Sequence, residues 1–181
     1  MKYILSYDLG TGGTKASLFD AEGRSCASTF VSCDTFYPQD LYHEQRPEDW
    51  WNSVVKSTQE LLKASQIDPN EILALAVSGH SLGVTPVTAD GTLLTEYTPI
   101  WSDGRAHAQA ARFFETIDEE SWYLATGSGF PAGLYGIFKI MWLKDNHPDL
   151  YERAACFLGT KDYVNYRMTG VMATDHSYAS G

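Results

Sequence analysis

Residues 8–15 read Asp8-Leu9-Gly10-Thr11-Gly12-Gly13-Thr14-Lys15, and this stretch decides how the chain folds. Its glycines separate two short, mostly apolar runs, Tyr3–Leu9 and Thr14–Asp20, which are typical of buried strands. A tight-turn signal then leads into a third extended stretch, Ser25–Ser32, with no room for a helix between the two. Three consecutive strands with short links predict an antiparallel meander.

The remainder of the chain mixes helical and extended patterns. A helix is predicted from Pro47 to about Ala64, because proline in a first turn loses no hydrogen bond and the acidic residues beside it favour the helix dipole. Apolar runs predict two further strands, Ile72–Val77 and Gly83–Thr88. Helical spacing is present near Ala106–Thr116, Glu119–Ala125, Tyr135–Asn146 and Lys161–Met168. We expect one α/β domain over residues 1–181, with a mixed β-sheet flanked by helices.

The composition excludes several classes of protein. Among 181 residues there are 13 Lys and Arg against 23 Asp and Glu, which gives a net charge of −10. Such an acidic chain is not expected to bind nucleic acid or an anionic membrane, since phosphate groups would repel it. No apolar run is long enough to span a membrane. Three cysteines without metal-ligand spacing, and no secretory signal, favour reduced thiols in a cytoplasmic protein.

The glycine-rich stretch also has the chemistry of an oxyanion site. It lacks the spacing of a P-loop and the third glycine of the dinucleotide fingerprint, and a strand follows it instead of a helix. Glycines nevertheless allow successive backbone N–H groups to converge on a phosphate, and hydroxyls and a lysine add donors. Asp8 is the candidate ligand for Mg²⁺. The candidate phosphate-binding residues are Gly10, Thr11, Gly12, Gly13, Thr14 and Lys15. The alternative is a glycine-rich hairpin in which the aspartate and lysine are incidental.

Other blocks of sequence join this loop in a family resemblance. They are Glu44-Gln45-Arg46-Pro47-Glu48-Asp49-Trp50-Trp51, Ala74–His80, Ile100–Arg105, Lys161–Tyr163 with Arg167–Gly170, and Thr174–Ala179. In order and spacing the chain resembles the FGGY carbohydrate kinases of the actin-like ATPase group, and within them the xylulokinases. The resemblance implies a ribonuclease H-like fold, with ATP and Mg²⁺ as cofactors. It also implies phosphorylation of a small-molecule sugar or polyol.

The segment Trp101–Arg105 is the first candidate for sugar recognition. Trp101, Asp103 and Arg105 offer an aromatic face and hydrogen-bonding groups within five residues, as sugar hydroxyls and C–H surfaces require. The alternative is that Trp101 is a core residue and that Asp103 and Arg105 form a local ion pair. The position of this segment in the family favours the sugar-binding interpretation.

The turn at residues 79–83 is the second candidate. Where glycerol kinases have Arg-Glu and xylulokinases typically have Met-His, this chain has Ser81 and Leu82. Because leucine cannot form a side-chain hydrogen bond, His80 is the candidate replacement partner for a substrate hydroxyl, with a purely structural histidine as the alternative. Tyr135 corresponds to an aromatic substrate contact of the family, with core packing as the alternative.

The resemblance also implies what this chain lacks. The general base of the family is an Asp in a Gly-Asp motif beyond the segment that resembles Thr174–Gly181, so no catalytic residue is expected here. The adenosine-binding elements belong to a C-terminal domain that this chain does not contain. We therefore expect a truncated N-terminal domain that is inactive alone, with homodimerisation possible. Two alternatives stay open: a non-kinase ATPase such as a chaperone or filament subunit, and a sugar-binding module without catalysis.

Overall fold

The computed structural model describes residues 2–127 and 131–179. Its strands are β1 (Tyr3–Gly10), β2 (Gly13–Asp20), β3 (Ser25–Ser32), β4 (Glu44–Gln45), β5 (Ile72–Gly79), β6 (Thr85–Val87), β7 (Thr98–Pro99) and β8 (Cys156–Leu158). Its helices are α1 (Pro47–Ser65), α2 (His107–Phe114), α3 (Glu119–Thr126), α4 (Gly136–Asn146), α5 (Pro148–Arg153), α6 (Thr160–Thr169) and α7 (His176–Ala179). Within these ranges, none of the helices combines the length and the apolar character needed to cross a membrane.

The main sheet has the strand order β3-β2-β1-β5. β1 pairs antiparallel with β2 and parallel with β5, so the sheet is mixed and the predicted meander is confirmed. Gly10 pairs with Gly13, which leaves a two-residue turn between the first two strands. Leu9 pairs with Gly79 across the parallel strands. The glycine-rich turn and the turn after β5 therefore lie side by side at the C-terminal ends of β1 and β5.

Helix α1 covers one face of this sheet. It begins with Pro47, has Glu48 and Asp49 in its first turn, and ends at Gln66 in the left-handed conformation. Its side chains Trp50 and Leu61 belong to the same buried cluster as residues of β1 and β2. This packing explains the alternation of buried and exposed residues along β1.

A second, smaller cluster lies under the turn that follows β5. It contains the buried side chains of Leu82, Ala106, Ala110, Tyr135 and Phe138. Two short antiparallel pairs, β4 with β7 and β6 with β8, connect the sheet region to the helices. These pairs place Glu44 opposite Pro99 and thereby bring residues 43–45 next to residues 98–105.

The strand β5 lies at one end of the sheet order. Leu73 and Leu75 are 60 % and 53 % exposed, although strands with so many apolar residues are usually buried.

On the face opposite α1, Asp8 of β1 lies across from Lys15 of β2, and both are exposed.

Candidate active site

The glycine-rich turn is held by β3 and open towards solvent. Gly13 has φ +146°, and a Cβ atom there would lie 2.7 Å from the Cα of Ser32, which real side chains do not tolerate. A Cβ on Gly12 would meet nothing within 4 Å, and the Gly12 carbonyl accepts a hydrogen bond from the N–H of Cys33 at 3.2 Å. Gly13 therefore fixes the turn, while Gly12 leaves room beside it for a ligand.

The predicted phosphate-binding residues divide into two groups. Gly10, Gly12 and Lys15 are exposed and Thr11 is half-buried. Thr14 is fully buried, and its hydroxyl lies 2.6 Å from the Ser53 hydroxyl of α1. The Thr14 hydroxyl thus ties β2 to α1 and does not face the open side of the turn.

Trp101 lies against the glycine-rich turn. Its indole Nε1 donates a hydrogen bond to Thr11 Oγ1 at 2.8 Å, across 90 residues of sequence. Trp101 is 39 % exposed, so the alternative that it is a core residue is wrong. This hydrogen bond joins the glycine-rich turn, which the sequence predicts to bind phosphate, to the segment Trp101–Arg105, which it predicts to bind sugar.

Gln45 is a residue of this site that sequence reasoning missed. Although only 1 % exposed, its side chain uses both polar atoms. Nε2 donates to the Thr11 carbonyl at 2.7 Å, and Oε1 accepts from Trp50 Nε1 at 2.8 Å and lies 3.2 Å from His80 Nε2. Gln45 therefore links the glycine-rich turn, α1 and the turn after β5. The available signal was its place in the block Glu44–Trp51, which carried a resemblance but no assigned role.

His80 lies in the interior of the site. Its ring contacts Gln45 and the Thr160 hydroxyl at 3.1 Å, and it packs edge-on to Trp50. Burial lowers the pKa of His80 to about 4, so the ring is neutral at pH 7. The adjacent Ser81 is exposed at the surface of the turn. Of these two residues, Ser81 is the one that faces solvent.

We expect the half-buried His80 to make stability depend on pH. Unfolded chains bind a proton to histidine near pH 6.5, whereas the folded chain does so only near pH 4. The free energy of unfolding should therefore fall as pH drops from 6.5 to 4, with His80 contributing up to about 3 kcal/mol of that loss. Denaturant unfolding of His80→Gln should show a flatter pH profile than the wild type. The exposed His176→Gln variant is the control, and parallel profiles for His80→Gln and the wild type would contradict the assignment.

Asp103 and Arg105 form a buried network behind Trp101. Asp103 is fully buried and accepts hydrogen bonds from Arg105 Nε at 2.8 Å and from the His43 N–H at 2.8 Å. Arg105 also donates to Glu44 Oε1 at 2.6 Å, and its guanidinium lies 3.8 Å from the centre of the Tyr42 ring. Burial alone would lower the pKa of Arg105, but the hydrogen bonds and charges of Asp103 and Glu44 raise it. The local ion pair weighed as an alternative is thus present.

The remaining predicted substrate residues, Leu82 and Tyr135, are 8 % and 5 % exposed and belong to the second cluster. Leu82 has φ +61°, a left-handed conformation that is unusual for leucine. Both side chains pack in the interior under the turn. Ser81 and Trp101 are therefore the predicted sugar residues that the structure leaves accessible.

Asp8 is the candidate metal ligand beside the turn. In the described part of the chain, no group of three or more His, Cys, Asp or Glu side chains is placed to hold a metal ion. Mg²⁺ often takes only one or two protein carboxylates and completes its shell with phosphate oxygens and water. One exposed carboxylate near the glycine-rich turn fits that donor set.

A mixed sheet flanked by helices, with a glycine-rich turn in its first hairpin, has the architecture of the actin-like ATPase group, and sugar kinases of known structure share this fold. The predicted ribonuclease H-like fold class is thus confirmed. Residues 3–181 match the FGGY family of carbohydrate kinases, N-terminal domain, and the chain belongs to this family.

Individual relatives are similar over the whole chain. The chain is 31 % identical over 181 residues to xylulose kinase of Bacillus subtilis, and the match covers 100 % of the chain and 36 % of that protein. It is 30 % identical to glycerol kinase of Thermococcus kodakarensis, covering 99 % of the chain and 36 % of that protein. The structure of a ligand-bound xylulose kinase from Lactobacillus acidophilus superposes with a TM-score of 0.90 at 26 % identity, over 100 % of the chain and 36 % of that structure. The chain spans about a third of the length of these relatives.

Proposed function

We propose that this chain supplies the phosphate-binding turn and one wall of the sugar pocket in an ATP-dependent kinase. The reaction transfers the γ-phosphoryl group of ATP to a hydroxyl of a ketose or polyol, with a xylulose-like sugar as the preferred substrate. The observation that carries this proposal is the hydrogen bond from Trp101 to Thr11, because it joins the two halves of such a site. The similarity to xylulose kinases supports the choice of substrate.

The glycine-rich turn acts on the phosphate side. Gly10 and Gly12 are exposed and Thr11 is half-buried, so the backbone N–H groups of this turn are the candidate phosphate donors, and the exposed Lys15 adds a positive charge nearby. Asp8 would hold Mg²⁺, which when bound neutralises charge on the phosphates. Gly13 and Thr14 fix the turn from within. Catalysis on this side consists of positioning and of stabilising negative charge.

The sugar side is built from Trp101 and the turn at His80–Leu82. The exposed indole face of Trp101 offers a surface for sugar C–H groups, and Ser81 offers a hydroxyl. These two segments are stabilised on the side away from solvent by Asp103, Arg105 and the ring of His80. Proton transfer from the attacking hydroxyl is assigned to the family's Gly-Asp aspartate, beyond residue 181. A cytoplasmic location and a homodimer stay predictions from sequence.

The test of this function is ADP release by the complete gene product with Mg-ATP and a panel of sugars. We expect the highest kcat/KM with a ketose of the xylulose type, lower values with glycerol and gluconate, and no turnover by the 181-residue chain alone. Binding of sugars without ADP release would instead favour the sugar-binding module. Nucleotide-dependent assembly without any sugar effect would favour the non-kinase ATPase.

The hydrogen bond between Trp101 and Thr11 should couple the two halves of the site. We expect Thr11→Val, which keeps the side-chain shape, to lower kcat/KM about fivefold, and Trp101→Phe to lower it at least as much, since each removes this hydrogen bond and the phenylalanine also has a smaller aromatic surface. The double variant should be no worse than Trp101→Phe alone, because that variant has already lost the bond that Thr11→Val removes. Thr11→Ser, which keeps the hydroxyl, is the matched control. Additive losses would show that the bond does not couple the segments.

A further inference from the structure

A buried lysine, Lys139 of α4, lies directly behind the proposed sugar pocket. It is 1 % exposed, which is rare for a lysine because removing an ammonium group from water is costly. Its Nζ donates hydrogen bonds to backbone carbonyl oxygens of Leu82 at 2.9 Å and Ile100 at 2.6 Å, and lies 3.5 Å from that of Trp101. These carbonyls belong to the two segments from which the sugar wall is built.

The hydrogen bonds from Lys139 hold backbone that would otherwise be unfavourable. Leu82 is left-handed at φ +61°, and a side chain such as leucine is rarely found there without support from its surroundings. The carbonyl of Ile100 also accepts from the N–H of Asp103 at 3.1 Å, so the same oxygen begins the tight turn that presents Trp101. One ammonium group therefore fixes both segments at the same point.

The charges around Lys139 do not give it a direct ion-pair partner. In the described ranges no carboxylate lies within 4.0 Å of Nζ, and the carboxylates of Asp103 and Glu44 are engaged by Arg105. Burial lowers the pKa of Lys139 to about 7; the charge of Asp103 opposes this effect and that of Arg105 adds to it. A leucine or methionine would fill this position at a lower desolvation cost. Packing alone thus does not account for a lysine here.

We propose that Lys139 is a positioning residue that sets the distance between the turn at His80–Gly83 and the Ile100–Trp101 segment. It touches neither phosphate nor sugar, and acts through the backbone of the residues that do. This inference rests on the proposed kinase function, because the segments it joins are those assigned to the sugar. It predicts that loss of the ammonium group weakens sugar binding selectively.

The first test is steady-state kinetics of Lys139→Met in the complete gene product. Methionine has a similar length and no hydrogen-bond donor, so the KM for the sugar should rise about tenfold or more while the KM for ATP changes less than about twofold. Lys144→Met, an exposed lysine on the same helix, should leave both constants unchanged. Equal changes in both KM values, or a change in kcat alone, would overturn the proposal.

The second variant is Lys139→Gln, which keeps two N–H donors and tests the proposal even if the methionine variant does not fold. We expect it to recover part of the lost sugar affinity. Amide hydrogen exchange of the folded variant should become faster in residues 80–83 and 100–103 and stay unchanged in the hairpin of β1 and β2. This measurement needs no turnover, so it decides the role of Lys139 even if the wild type phosphorylates no sugar. Unchanged exchange in both segments would overturn the proposal.

Discussion

Replacing Arg105 by methionine is expected to lower the free energy of unfolding by about 3–5 kcal/mol. The arginine is the ion-pair partner of a fully buried carboxylate, and its removal takes from Asp103 its ion pair and two side-chain hydrogen bonds. It also breaks the hydrogen bond to Glu44 and removes the group packed between Tyr42 and Trp142. Thermal unfolding should show a Tm lower by roughly 10 °C or more.

A paired substitution separates the charge effect from the loss of packing. In the variant Asp103→Asn with Arg105→Met, position 103 no longer holds a buried carboxylate that has lost its arginine, so part of the stability should return. Arg105→Lys should not be a neutral change, because a lysine cannot reproduce the two-point contact with Asp103 or the stacking on Tyr42. The explanation fails if Arg105→Met unfolds within 1 kcal/mol of the wild type or if the paired variant is the less stable of the two.

Replacing Gly13 by alanine is expected to cost at least about 3 kcal/mol, because two unfavourable effects coincide. The backbone has φ +146°, which L-amino acids rarely adopt, and the added methyl group would overlap with the carbonyl oxygen of Val31. Since all three atoms that the methyl group would overlap belong to β3, in Phe30, Val31 and Ser32, the turn must shift away from this strand. Chemical denaturation should show the loss of stability, and binding of ATP to the complete gene product should weaken with it.

Gly12→Ala is the matched control for this position. Its Cβ would extend into open space, so stability should change by less than about 1 kcal/mol. The same methyl group would lie where we propose that a phosphate approaches, so ATP affinity should fall without a stability change. If Gly12→Ala destabilises the chain as much as Gly13→Ala does, the distinction between the two glycines is wrong.

Much of the fold could be predicted because its signals are local. The meander of β1 to β3, the helix α1 and the strand β5 follow from runs of six or more residues bounded by turn residues. β4, β7 and β8 were missed because they have two or three residues, too few to show a period. α5 was also missed. The strand predicted at Gly83–Thr88 is shorter, at Thr85–Val87.

The site was predicted only in part, because residue type does not say which atoms a side chain faces. Within five residues, Trp101 is accessible and hydrogen-bonded to the glycine-rich turn, whereas Asp103 is completely buried. Gln45 and Lys139 were not singled out for any role, since the turns that they hold lie 34 to 57 residues away in sequence. Such contacts arise from topology, which brings β4 and α4 to the same end of the sheet.

The outer border of β5 has a practical consequence for handling this polypeptide. β5 pairs with another strand of the main sheet on one side only, and its side chains Leu73 and Leu75 are exposed to solvent. The backbone N–H and C=O groups of such an edge strand can pair with an extended segment of another chain. Concentrated stocks of the isolated chain will tend towards edge-to-edge aggregates that grow from this border. A lysine introduced at either leucine would act as a gatekeeper at little cost, because neither side chain fills the interior.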